Sequence, residues 1–280
     1  MSNSLNIFTV DLEEWFHIND STWKPVEQWA SMESRIEDNT TLILDFLDLH
    51  KIQATFFVLG WIAETYPELV KKIVESGHEL GYHSYYHRIP RFQSRGTFES
   101  DLEKGITLIE KLTGKQVKYY RAPNFSLKNK WMLESLADHG IQVSSSIKNP
   151  MLHNGKELPE VPFIFTRNNR QLIELPLNTF RLFFYKFAFS GSGYFRILPQ
   201  AVIQHLYKNK TYLLMYFHPR DFDSSLPTPH ELGWKRNLLN TIGTSTTLTK
   251  LESLTARHPF ISVGQALKQL DLNKLPIIEF

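Results

Sequence analysis

The chain alternates between short apolar runs and stretches whose apolar positions recur every three to four residues. Residues 6–10 (NIFTV) are a β-rich run ending in acid. Ile36, Leu42, Ile43, Phe46, Leu47 and Leu49 supply the apolar face of a helix over 35–50, and a buried strand over 53–59 follows. Further helices are predicted over 61–76, closed by Gly77, over 98–112, closed at Thr113-Gly114, and over 130–139 and 199–207. Strands are predicted over 78–83, 117–120, 141–146, 172–176 and 212–217, while 158–165, with prolines nearby, reads as a loop and edge region. Such alternation implies βαβ units on a parallel sheet or barrel. Helices over 233–242, 247–256 and 263–270 complete the chain. We expect one α/β domain over 1–225 and a C-terminal helical extension over 226–280 packed on it.

Acids and imidazoles gather where the predicted strands end. In a strand, residues two apart face the same side, so Asp11 and Glu13 of TVDLEEW project together and Glu14 points away. Two carboxylates on one face can divide the work of a hydrolase, one binding a cation and one acting as a base; an acidic helix N-terminus is the alternative. His83 and His87 lie four apart in GHELGYHSYYH and can share one ion if the backbone between them turns once, although surface turns also carry such pairs. Arg121 of RAPNFS would arrive at the same rim and orient Asp11, and Pro123 would set the backbone so that the Asn124 N–H points inward. The plainer reading is a surface Arg before a Pro turn. His218-Pro219 ends the strand over 212–217, a position for a proton donor or for a structural histidine.

Two aromatic stretches leave more than one reading open. Residues 21–33, with Trp23, Pro25 and Trp29, suit a packed surface loop or a sugar-stacking lip. Residues 180–196 (FRLFFYKFAFSGSGYFR) suit core, a substrate lid, or a patch resting on a membrane with Arg181, Lys186 and Arg196 near the head groups.

Composition narrows the chemistry. With 31 basic and 29 acidic residues, the excess is too small to point to nucleic acid. There is no cysteine, so disulfides, thiolate metal sites and a Cys nucleophile are excluded, and any metal is held by His and carboxylate. No run approaches the roughly 18 apolar residues of a membrane span, and the N-terminus lacks a basic segment followed by a long apolar one. A cytoplasmic protein is expected.

TVDLEEW, SRIEDNTTLILDFLDLH, ATFFVLGW, the H-x-x-x-H stretch, YRAPNFS, GSGYFR and YFHP occur in one order over nearly the whole chain. In that order they resemble the NodB-homology polysaccharide deacetylases, carbohydrate esterase family four, and most closely the cytoplasmic subgroup of exosortase-linked exopolysaccharide loci. The resemblance implies an irregular (β/α) barrel with fewer than eight regular strands, a divalent metal, usually zinc with cobalt or iron also suited, and removal of N-acetyl groups from the amino sugars of a cell-surface or exported polysaccharide or its precursor. It implies Asp11 as catalytic base, Glu13, His83 and His87 as metal ligands, Arg121 as the residue steadying the base and His218 as general acid. The partner implied is an N-acetylated glycan, with peripheral contact to the inner face of a membrane carrying lipid-linked glycan. The sequence departs from the common pattern of two adjacent aspartates, because Leu12 intervenes and the ligand is a Glu. Arg220 and Asp221 stand where the subgroup has Trp and Glu, Ser144 where it has Asp, and Glu174 is the nearest match for the acid beside the general acid. Two other readings remain: an amidohydrolase of small cyclic amides, allantoinase-like, and a catalytically inactive glycan-binding protein.

Overall fold

The computed structural model describes residues 4–17, 25–148, 152–153, 156–182, 184–208 and 210–279. Ser21 and Trp23 of the expected loop lie outside them. The order begins β1 (Leu5–Leu12), α1 (Ile36–Leu49), β2 (Thr55–Val58), α2 (Gly60–Thr65), α3 (Pro67–Glu75), β3 (Glu79–Tyr82), α4 (Arg95–Thr113), β4 (Tyr119–Tyr120), α5 (Lys130–Asp138) and β5 (Val143–Ser144). Then come β6 (Leu152–His153), β7 (Lys156–Glu157), β8 (Phe163–Arg167), β9 (Arg170–Glu174), β10 (Thr179–Leu182) and β11 (Tyr185–Ala188). The remainder is α6 (Ser192–Ile197), α7 (Gln200–Lys208), β12 (Tyr212–Phe217), α8 (Gly233–Thr241), α9 (Thr247–Thr255), α10 (Val263–Gln269) and β13 (Ile277–Glu279).

A nine-stranded sheet in the order β12-β1-β2-β3-β4-β5-β9-β8-β13 forms the centre of this α/β fold. Its first seven strands run parallel; β8 is antiparallel to β9, and β13 is parallel to β8. β1 is buried along its whole length because neighbours cover it on both edges and both faces, as its near-continuous apolar sequence requires.

The seven parallel strands curl until β12 nears the far side, and the seam is closed without a ladder. Asn178 donates from Nδ2 to the Tyr212 carbonyl at 3.1 Å and accepts from the Leu214 N–H at 2.7 Å, so one side-chain amide does for β12 what a neighbouring strand does elsewhere. Bridges Lys148↔Leu177 and Gly191↔Tyr216 flank it. Gly191 has to be glycine, since a Cβ there would lie 1.8 Å from the Tyr216 carbonyl oxygen. At the opposite end of the barrel, Glu79 accepts from Thr55, Ser262 and the Gly264 N–H, which pins the start of α10 beneath the sheet.

Several elements differ from the sequence expectation. The helix expected over 61–76 is two, because Pro67 has no N–H to donate and Tyr66 adopts a non-helical φ of −126° before it. The expected loop and edge region at 158–165 ends in a true strand, β8, with Phe163, Ile164 and Phe165 all buried. β13 falls in the expected helical extension and was too short to show a period. The aromatic run at 180–196 is a hairpin followed by α6: Phe189 and Phe195 are buried at its foot, and Phe184 is 96% exposed at its tip. The segment 226–280 reaches the sheet through β13 and through the bridge Ile7↔Ile261.

Asn178→Ala is expected to cost about 2 kcal/mol or more, because two buried backbone groups of β12 lose their partner. Urea unfolding measures it, and a loss under about 0.5 kcal/mol would show that the seam is held in another way.

Candidate metal and catalytic site

A cavity of about 430 Å³ opens where β1, β3 and β12 end, the rim at which parallel α/β folds place their sites. The structure brings Asp11, Glu13, His83, His87, Asn124 and His218 to its wall. Arg121 lies behind it, fully buried, and its side chain touches the wall through its partner Asp11.

Asp11 is the penultimate residue of β1. Glu13 is already past the strand: its N–H bonds back to the Asp11 carbonyl at 3.0 Å, a tight turn that keeps both acids on the cavity side. Strand alternation is therefore not what aligns them. Glu14 instead turns away from the cavity and, still buried, caps α1, accepting from the N–H groups of Arg35 and Ile36 at 2.9 and 3.1 Å.

His83 and His87 are likewise not on a helical turn. Ser84 and His87 adopt left-handed backbone, φ 67° and 53°, and this reversal sets the two rings 5.1 Å apart. One donor atom each from Glu13, His83 and His87 lies within 4.8 Å of the others, a group able to hold a metal ion. His83 Nδ1 is 2.7 Å from the Arg121 carbonyl, so it carries the proton there and leaves Nε2 as the ligand atom. Burial pushes the His83 pKa down to about 4, keeping the ring neutral as a ligand must be. Glu13 Oε2 lies 2.9 Å from His87 Nε2, and both groups are buried, an approach that suits two ligands of one cation. Burial alone would raise the Glu13 carboxyl; His87, Arg220 and His218 around it outweigh that and hold it well below the usual carboxylate range.

Arg121 Nη1 bonds Asp11 Oδ1 at 2.6 Å, which leaves Oδ2 toward the cavity with His218 Nε2 at 3.9 Å. Asn124 lies on the wall in left-handed backbone, φ 56°.

The acid that orients His218 is Asp221, which corrects the assignment to Glu174. Asp221 Oδ2 lies 3.0 Å from His218 Nδ1 and accepts from the His218 N–H at 2.8 Å. Burial would raise Asp221, but His218, Arg196 and Arg220 hold it down to about 2, so it remains an anion. The signal was the three-residue spacing His218-x-x-Asp221, a capping-box arrangement at the first turn after a strand. Other residues the sequence did not mark for the cavity are Ser192, 3.2 Å from His218 Nδ1, and Arg220, 2.8 Å from Glu13 Oε1. Arg236 and Asn240 of α8 close the outer wall.

Glu174 serves the barrel wall instead. Its Oε1 accepts from the N–H groups of Ser146 and Ile147 at 2.7 and 2.9 Å.

The fold and site together define an α/β barrel protein with a two-histidine, one-carboxylate group at its strand ends. Residues 25–144 match the polysaccharide deacetylase family model, and 145–268 match that of a domain of unknown function, DUF3473. Over 25–144 the chain is thus similar to the polysaccharide deacetylases; Asp11 and Glu13 precede that stretch and His218 follows it. A peptidoglycan-N-acetylmuramic acid deacetylase of Bacillus subtilis is 29% identical over 103 residues, 37% of this chain and 39% of that protein. The chain thus aligns with about two fifths of that relative's length. A putative polysaccharide deacetylase from Mycobacterium smegmatis has the same fold, with TM-score 0.68, 20% identity and coverage of 99% of this chain and 93% of that one. So has a family 4 carbohydrate esterase pseudoenzyme from Bacillus anthracis, with TM-score 0.54, 15% identity and coverage of 100% and 71%. Among the described residues, no helix is long and apolar enough to cross a membrane.

Burial raises Glu174 to about 7, above its unfolded value near 4.5, so its ionised form opposes folding above pH 7 and the penalty vanishes below pH 4.5. Glu174→Gln keeps an oxygen for both N–H donors and is expected to stabilise the protein by about 1–3 kcal/mol at pH 8 and by nothing at pH 4. Denaturant midpoints at the two pH values check this.

Proposed function

We propose that this protein is a metal-dependent deacetylase that hydrolyses the N-acetyl group of an amino sugar in a polysaccharide or its precursor. The single observation that carries this reading is the placement of Asp11 and His218 beside the convergent donors of Glu13, His83 and His87. The family match and the printed activities of its relatives support the substrate class.

Amide hydrolysis needs help at both ends, because the carbonyl is a poor electrophile and the amine a poor leaving group. Glu13, His83 and His87 would hold the metal, most simply zinc, and such an ion supplies Lewis acidity to an acyl oxygen and to water. Asp11 is the base: Arg121 fixes one of its oxygens, and the other takes the proton from the attacking water. His218 is the general acid, and Asp221 on Nδ1 turns Nε2 toward the cavity to protonate the departing sugar nitrogen. The Asn124 N–H serves the developing oxyanion. Activity on glycan for an exopolysaccharide, from the cytoplasm at the inner face of a membrane, is the finer reading we attach to the sequence's subgroup resemblance.

Asp11→Asn is expected to keep its bound metal by elemental analysis while acetate release falls about 10²–10⁴-fold. His83→Ala is expected to lose the metal itself. Parental turnover in Asp11→Asn would sink the assignment of the base.

A further inference from the structure

Among the described residues, four aromatic side chains are exposed: Phe92, Phe184, Tyr194 and Trp234. All four stand in segments that leave the C-terminal ends of parallel strands, the end at which the cavity opens. Phe92, between β3 and α4, is 75% exposed, and Trp234, in α8 beyond β12, is 72% exposed. Phe184 and Tyr194 follow β9, which runs parallel to β5, and the Phe187 ring of that hairpin meets the Tyr194 ring of α6 at 5.8 Å. The largest share falls to α8. Its Arg236 and Asn240 line the cavity, and the 3.6-residue period puts Trp234 and Leu238, each two places from Arg236, on the opposite side of the helix. Leu238, Leu239 and Ile242 are exposed there too. Arg196 of α6 bonds the carbonyls of Leu239, Asn240 and Ile242, which keeps the exposed Tyr194 and Ile197 near that end of α8.

Charge on two of these segments is of one sign. Residues 83–94 and 232–251 contain no acid, while Arg88, Arg91, Lys235 and Arg236 fall within them. Arg91 lies 4.6 Å from the Phe92 ring and Lys235 5.6 Å from the Trp234 ring, so each of these exposed aromatics has a cation beside it. A sugar stacks on ring faces but gains little from Leu238, Leu239 and Ile197, and a protein partner would need a shape that reaches segments following three different strands. A bilayer with anionic head groups is flat, negative at its surface and apolar beneath, so it meets all of them at once. We propose that this rim docks on an anionic lipid bilayer, with the outer side of α8 and the Phe92 segment seated among the head groups. The cavity wall then stands one helix diameter, about 10 Å, from the lipid, within reach of a glycan carried there. The proposal deepens the membrane side of the function proposed above and rests on it for where the glycan is met.

Vesicle binding is read without metal or substrate, so its failure and a failure of acetate release are seen separately. Sedimentation with vesicles of phosphatidylglycerol and phosphatidylcholine in equal parts should give the parent a partition coefficient about tenfold or more above that on phosphatidylcholine alone. Raising the salt from about 50 to about 500 mM should remove most of the difference. The variant Phe92→Ser/Trp234→Ser/Leu238→Ser should lose about tenfold or more on the mixed vesicles and keep the parental melting temperature, since all three side chains are exposed. Arg91→Gln/Lys235→Gln should lose about fivefold or more, and much of the salt dependence with it. In the parent, brominated acyl chains should quench the tryptophan emission, and Trp234→Phe should weaken that quenching while binding stays within about threefold. The proposal is overturned if the parent does not sediment with the mixed vesicles, if it binds neutral ones equally, if the serine variant binds as the parent does, or if bromine leaves the emission unchanged. It is also overturned if the serine variant leaves vesicle binding intact but abolishes a concentration-dependent dimer or weakens binding of the N-acetylglucosamine tetramer, results that would assign the rim to a second copy or to the glycan.

Discussion

One buried guanidinium ties the site to the barrel. Arg121 has no exposed surface, and it bonds Asp11 and Thr9 through Nη1, the Ser145 carbonyl through Nε and Ser145 Oγ through Nη2. Phe57 and Phe125 lie 4.2 and 5.2 Å from its centre. Its own carbonyl receives His83 Nδ1, so a single residue aims both the proposed base and one of the candidate ligands. Burying such a charge is tolerable only because every neighbour answers it, and removing one partner of a buried pair typically costs about 3–5 kcal/mol. Thr9 completes the arrangement by donating its hydroxyl to the Met215 carbonyl, which leaves its lone pairs for Arg121 and joins β12 to the same network.

The two kinds of histidine in the cavity are ordered by different means, and the difference matches the roles proposed for them. His83 is oriented by a neutral carbonyl and kept uncharged by burial, as suits a ligand. His218 is oriented by an anion, Asp221, as would suit the proton donor proposed above. Left-handed residues at Ser84, His87 and Asn124 cost of order 1–3 kcal/mol each and persist because the loops are fastened. Fastening is visible at α2, where the N–H groups of Gly60 and Trp61 bond the carbonyls of Ser84 and Tyr85. Gly60 permits that approach, since a Cβ there would lie 2.3 Å from the Tyr85 ring.

Much of the fold was legible because α1 and α4 are long enough to show a helical period and β1, β2 and β12 are apolar runs closed by turn residues. The cavity residues could be marked because the chemistry of a parallel sheet gathers at strand ends, which the run lengths locate. What stayed hidden was decided by tertiary contact. β8 is short and is held by its hairpin to β9, and β13 exists because it pairs with β8 across more than a hundred residues. Glu174 and Asp221 are both acids near strand ends, and only the pairing of β9 against β5 shows that Glu174 faces backbone donors and not His218. The placement of α8 against the cavity leaves no periodic trace, because no residue of that helix is buried.

β1 sits between β2 and β12, so the strand that delivers Asp11 is made well before its second neighbour. About two hundred residues separate them, and at 5–20 residues per second a ribosome needs roughly 10–40 s to cover that distance. During that interval a long apolar edge has no permanent partner. His218 can meet Asp11 and Glu13 only after β12 is made, and until then the open edge of β1 invites pairing with other chains, a hazard for chaperones to guard.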